Sequence, residues 1–303
     1  HRPVLPTTMS NSNVNPALAG SASSKRGERA IGAILIDAGR LKPEDAERIL
    51  RLQREKGLRF GDAAIPLGLL TQADIEFALS RQFDYPYLLR GESAVSEDLV
   101  AAYAPFSPQV EALRAVRSQL VLRWFDSDPA HKALAVVSAE RNEGRSFIAA
   151  NLAVVFSQLG EHTLLIDADM RNPCQHKLFS LDNRAGLSAV LSGRGGPEVI
   201  QRVNALVDLS VLPAGAVPPN PAELLARPPF PRLLHDLAAQ FDVIIFDTPA
   251  AAESAETQTI AVRAGAALIV ARKNATRISQ VRGVADSLVD AKAIVVGTVL
   301  NEF

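Results

Sequence analysis

With 303 residues, 48% of them hydrophobic, and a formal net charge of −1, the chain has the length for two domains and the composition of a packed globular protein. Its 32 basic and 33 acidic residues are interspersed, which excludes a broad electrostatic grip on nucleic acid or anionic lipid. A single cysteine, Cys174, excludes an internal disulfide framework and fits a reducing cytoplasm. Apolar runs such as Ala266–Ala271 fall far short of the roughly 20 residues a membrane-spanning helix needs.

Residues 1–28 are rich in Ser, Asn, Ala and Pro without hydrophobic period and read as a disordered lead-in, the first eight as an expression remnant. From Arg29 to Gln82 the sequence repeats itself with an offset of 29 residues: Gly32 and Gly61, Gly39 and Gly68, Leu41 and Leu70, Asp45 and Asp74, Gln53 and Gln82. Each copy reads as a short helix, a Gly-marked turn and a longer helix, so a domain of two helical hairpins is expected over 29–88. Its second motif is Arg59, Phe60, Gly61, Gly68 and Gln82. The first is Ile31, Gly32, Gly39 and Gln53, with Ala30 where the second has Arg59. The pattern resembles the MshEN domain of type II secretion and pilus ATPases, and that resemblance implies a cyclic di-GMP site on these residues. A docking module whose glycines serve only turns is the other reading. Residues 83–109 hold three prolines and all three tyrosines, and residues 89–108 read as a linker with one short helix near Glu97–Tyr103.

A helix from Pro108 to about Phe125 places Glu111, Arg114 and Arg117 on nearly one face. Ala133–Val137 is an apolar, partly β-branched run fit for a buried strand, and Phe147–Phe156 has helical spacing. The turn between them, Ala139-Glu-Arg-Asn-Glu-Gly144-Arg145-Ser146, keeps the last Gly and the Ser of the phosphate-binding pattern G-x-x-x-x-G-K-[ST]. Backbone N–H groups around Gly144 and a helix N-terminus suit an anion, and the Ser146 hydroxyl suits Mg²⁺. Arg145 stands where the pattern has Lys; it keeps the charge but offers a planar fork. Asp167 and Asp169 end the apolar run Leu164–Ile166, and Asp247 ends Val243–Phe246. In an open α/β sheet these tips gather on one side, where ligands bind. Further strands are expected at Asp208–Leu212, Ala266–Ala271 and Ala293–Leu300, and a helical stretch at Leu224–Ala239 follows a Pro-rich loop at 213–231.

Over 109–303 the chain resembles the bacterial tyrosine kinases (BY-kinases) of exopolysaccharide synthesis, of the chain-length determinant (EpsG) type. The phrases carrying the likeness are IDADMR, IIFDTP, PPNPAELL and E-x-x-R-x-x-R, with Pro173, His176 and Phe179 in register. The resemblance implies an α/β fold with a mostly parallel sheet of P-loop NTPase kind, following the small helical domain. It implies ATP or ADP with Mg²⁺, held by Ser146, Asp167 and Asp247, and catalysis by Arg145, Asp167 and Asp169. The nucleotide would be held by Glu143, Gly144, Arg145, Ser146 and Phe147, and the adenine by Asn301. It also implies rings formed through Glu111, Arg114 and Arg117, a membrane-bound chain-length determinant as partner, and a cytoplasmic location at the inner membrane through that partner. BY-kinases phosphorylate a tail cluster of tyrosines, whereas the last tyrosine here is Tyr103. The alternatives are a nucleotide-gated regulatory subunit and a ParA/MinD-like positioning ATPase, the latter lacking its early P-loop Lys at Glu140 or Arg141.

Overall fold

The computed structural model describes residues 31–82 and 86–302; the expected lead-in and the start of the first repeat, Arg29 and Ala30, lie outside the described residues. The chain divides into two compact units, with the boundary between Tyr85 and Pro86.

In the first unit the helices are α1 (31–37), α2 (Pro43–Lys56), α3 (Phe60–Ala64) and α4 (Gln72–Gln82). Pro43 starts α2 at a position that needs no N–H donor, and Glu44 and Asp45 face its positive end. Gly39 and Gly68 turn the chain at φ of 69° and 66°, the left-handed region that Gly enters without strain. Gly32 and Gly61 act differently. A Cβ on Gly32 would lie 3.6 Å from the Phe60 ring and one on Gly61 3.4 Å from Ile75, so both let helices close on a core containing Leu35, Ile49, Phe60 and Ala78.

The second unit begins with α5 (Val100–Tyr103) and α6 (Pro108–Leu120), which Ser107 caps by accepting a bond from the Val110 N–H. A π-helical turn, Val121–Phe125, extends α6 to the expected end. The expected linker is a correction: Leu99, Ala101, Ala102 and Tyr103 are buried in the same cluster as the central helix, and the Ala101 N–H donates to Asn151 Oδ1 at 3.0 Å. The prolines there mark turns, while the apolar run between them covers a helix that is hydrophobic all round.

That helix is α7 (Arg145–Ser157), following strand β1 (Ala133–Ser138). The chain continues through β2 (Thr163–Asp167), α8 (Gln175–Leu178), α9 (Leu187–Leu191), β3 (Gln201–Arg202) and β4 (Leu209–Leu212). Then come α10 (Pro221–Ala226), α11 (Pro229–Ala238), β5 (Val243–Asp247), α12 (Glu256–Ala264), β6 (Ala266–Arg272), α13 (Ile278–Asp290) and β7 (Ile294–Asn301). The expected helical stretch at 224–239 is broken at Arg227-Pro228, because the residue before a proline is driven out of the helical region; Arg227 has ψ 156°.

The strands form one seven-stranded sheet in the order β3-β4-β2-β5-β1-β6-β7, parallel except for the β3–β4 pair. Helices cover both faces, as the fully buried and mainly apolar β1, β2 and β5 require. Adjacency of β2, β5 and β1 decides where function lies: Asp167 pairs with Asp247, and Val136 of β1 pairs with Asp247 from the other side.

Candidate functional site

The loop after β1 wraps one end of α7. Gly144 sits at φ 86° and Asn142 at φ 59°, a conformation in which Asn is among the better tolerated non-glycine residues. Glu143 is a buried anchor: its carboxylate accepts from the Glu140 N–H at 3.0 Å and from the Thr276 hydroxyl, while its carbonyl accepts from Asn301 Nδ2 at 3.2 Å. The loop is thereby fixed before any ligand arrives, a precondition for N–H groups to bind phosphate without further ordering cost.

Arg145 lies across the strand tips, 8% exposed. Its Nη1 donates to Ser138 Oγ at 2.8 Å, its Nε to Asp247 Oδ1 at 3.3 Å and its Nη2 to Asp169 Oδ2 at 3.3 Å. Each of its three nitrogens thus donates to a different acceptor, so the planar fork is held at three separate points. The other Asp247 oxygen accepts from Gln175 Nε2 at 2.7 Å.

The two carboxylates of the Asp167-Ala168-Asp169 turn part company. An alternating extended chain would turn both to one side, but β2 ends at Asp167 and the register is lost beyond it. Asp167 is fully buried, and its Oδ2 accepts from the N–H groups of Cys174 and Gln175 at 2.9 Å each. Asp169 instead borders the open cavity and accepts from the Asn172 N–H at 3.0 Å. Burial, and next the charge of Asp247, push the Asp167 carboxyl well above the usual carboxylate range. Burial raises Asp247 as well, with Arg145 opposing it. Burial also pushes the Cys174 thiol up to about 12, so it stays neutral.

Two cavities flank the loop and share Asn142, Gly144 and Phe147. One, of about 380 Å³, is lined also by Glu143, Arg145, Ser146 and Asp169; the other, of about 390 Å³, by Gln109 and Asn301. The first borders the charged cluster and the second borders Asn301. Gln109, Ser138, Gln175 and Thr276 carried no sequence signal, because each is an uncharged polar residue outside any fixed motif position. His176 Nδ1 is buried and has no hydrogen-bond partner among the described residues.

The donors fit a magnesium–nucleotide pair. Among the described residues no three His, Cys, Asp or Glu are grouped to hold a cation by themselves. Mg²⁺ usually takes one or two carboxylates and completes its shell with water and phosphate, so Ser146 and Asp247 suffice. Buried Asp167 Oδ1 and Gln175 Oε1 have no hydrogen-bond partner, and water on a cation is the kind of donor both lack.

The other residues marked by the sequence are scattered. Glu111 and Arg114 form an ion pair along α6, and Arg117 Nη1 donates to Val155 O at 2.5 Å, an intrachain contact. In the helical unit Arg59 is exposed, Ile31 is half-buried beside the core, Phe60 is 2% exposed inside it, and Gln53 is buried with Oε1 unpartnered. Gln82 is half-buried at the end of α4. Among the described residues no helix is long and apolar enough to cross a membrane.

A family model described as cellulose biosynthesis protein BcsQ matches residues 132–299. Tyrosine-protein kinase YwqD of Bacillus subtilis (strain 168) is 34% identical over 209 residues, covering 69% of this chain and 87% of that protein. Tyrosine-protein kinase wzc of Salmonella typhimurium (strain LT2) is 32% identical over 183 residues, covering 60% of this chain and only 25% of that longer protein. The kinase domain of the Escherichia coli tyrosine kinase ETK superposes with a TM-score of 0.66 at 30% identity, over 70% of this chain and 82% of that one. The septum site-determining protein MinD of Pyrococcus horikoshii, complexed with Mg-ADP, shares the fold at a TM-score of 0.50 and 23% identity. On this likeness, which spans the P-loop, both carboxylate turns and the sheet that joins them, the chain belongs to the bacterial tyrosine-protein kinase family, with a P-loop domain of the BcsQ kind.

Proposed function

We propose that the protein binds Mg·ATP at the tips of β1, β2 and β5 and acts as a tyrosine-kinase-like regulator of exopolysaccharide polymerisation and export. The carrying observation is the meeting of Arg145, Asp169 and Asp247 within one guanidinium's reach beside the 380 Å³ cavity. In the transfer step the γ-phosphoryl group passes from ATP to a tyrosine oxygen with ADP as the leaving group, and Asp169, the carboxylate at the cavity, takes the hydroxyl proton. Backbone N–H groups from Glu143 to Phe147 and the Arg145 fork hold the phosphates, with Ser146 and Asp247 on the cation and Asp167 behind them. Asn301 meets the base.

The substrate tyrosine belongs to another chain in this reading, and the partner is a membrane chain-length determinant. Self-association uses the α6 face bearing Glu111, Arg114 and Arg117. Incubation with that partner, Mg²⁺ and γ-labelled ATP should label tyrosine; no label would sink the kinase reading. Arg145→Lys should raise turnover, because a lysine is not held across three acceptors; unchanged turnover would move the limitation elsewhere.

A regulatory subunit with weak catalysis is favoured by one feature, the locking of Arg145 between two carboxylates when no nucleotide is present. Cyclic di-GMP on the helical unit is supported by exposed Arg59 and by the unpartnered Oε1 of Gln53. Calorimetry should then give binding that Arg59→Ala abolishes, and a flat titration would leave a docking module.

A further inference from the structure

Gln175 is fully buried at the start of α8 and ties three groups of the site together. Its N–H donates to Asp167 Oδ2 at 2.9 Å, and its Nε2 donates to Asp247 Oδ2 at 2.7 Å and to Ser146 O at 3.1 Å. The two acceptors fix the orientation of the amide. Turned over, it would press Oε1 against two oxygens that carry no hydrogen. Both Nε2 hydrogens are thus engaged, and Oε1 is left buried without any donor. Asp167 Oδ1, on the carboxylate that the same residue's N–H holds, is in the same state.

A buried amide oxygen without a donor is uncommon in native proteins and points to a water or ion that completes it. No described side chain supplies that donor. Beside Ser146 and Asp247, the expected holders of the cation, the available donors are waters of a hydrated dication, which keeps several of them.

We infer that Gln175 is a positioning residue for the cation: Nε2 fixes the Asp247 carboxylate against the P-loop, and Oε1 accepts a hydrogen bond from a water of the cation's shell. The inference rests on the magnesium–nucleotide reading. It gives the residue a role outside the phosphate-binding motif and both carboxylate turns, exercised through Asp247 and through bound water rather than through substrate.

The test uses the full chain with Mn²⁺ as the probe, read by electron paramagnetic resonance at saturating ADP, and ADP binding in EDTA as the control. Gln175→Met, which keeps the length and loses both amide groups, should weaken Mn²⁺ about tenfold or more, the usual cost of losing an outer-shell partner. ADP affinity in EDTA should move less than twofold, whatever stability the lost Nε2 bonds cost. Gln175→Glu keeps an acceptor and should hold Mn²⁺ more tightly than the Met variant. Unchanged Mn²⁺ affinity in Gln175→Met would overturn the inference, as would an equal loss of metal-free ADP binding, which marks a packing role only. If the parent protein binds ADP no better with Mn²⁺ than with EDTA, the magnesium–nucleotide reading fails, and this inference with it.

Discussion

The two ends of the sheet carry the same chemistry in opposite surroundings. At the amino end His162 lies 3.3 Å from Asp242 and 3.6 Å from Asp208, and Lys132 lies 3.8 Å from Asp242, all partly exposed. Water screens these pairs, and each contributes about 0–1 kcal/mol. At the carboxyl end Arg145, Asp169 and Asp247 stand at similar distances but are 0–9% exposed. There the charges have lost their hydration, and each depends on its partners for compensation. Burial, rather than ion-pair geometry, separates a stabilising surface detail from a site poised to receive a dication and phosphates.

The largest difference should appear at Cys174. A thiol raised to about 12 leaves thiolate at pH 8 roughly a thousandfold scarcer than in an ordinary cysteine, so a disulfide reagent should react that much more slowly with folded than with urea-unfolded protein. Rapid reaction of the folded chain would mean the carboxyl end is open to water. Next comes Arg145→Ala. It strands buried carboxylates and should lower metal-free stability by about 3 kcal/mol in urea titrations. A loss under 1 kcal/mol would place the carboxyl end with the amino end.

The third effect is a slope with pH. The folded-state value of Asp167 is raised, so its contribution is present at low pH and is lost as pH rises through that value. As pH rises above the ordinary carboxylate range, Asp167→Asn in EDTA should therefore lose less melting temperature than the parent; an equal slope in both contradicts the assignment. The smallest effect belongs to His162→Ala at the amino end, expected within about 0.5 kcal/mol and fading in salt.

The same contrast explains what could be read in the sequence. The strands ending in Asp167 and Asp247 announce themselves, because a parallel strand buried on both faces is a short apolar run and its first carboxylate marks the exit. That Asp169 and Asp247 meet around Arg145 follows from the adjacency of β2 and β5, a strand order that no local pattern specifies. The hidden members are those whose function depends on position alone. Ser138 receives Arg145 from the last position of β1, and Gln175 reaches Asp247 across a gap of 72 residues. Neither sits at a patterned position. The 89–108 segment misled for a related reason: its prolines signal turns locally, while the cover it gives α7 is a long-range fact. In the helical unit the repeated glycines were visible, and their φ values and close approaches account for them by packing.

The most direct test is a crystal structure of the full chain with Mg²⁺ and a non-hydrolysable ATP analogue. The account predicts phosphates on the N–H groups of residues 143–147, the cation against Ser146 and Asp247, Arg145 drawn from the carboxylates to the phosphates, and the base beside Asn301. Nucleotide bound elsewhere, or Arg145 still locked between Asp169 and Asp247 with the cation absent, would contradict it.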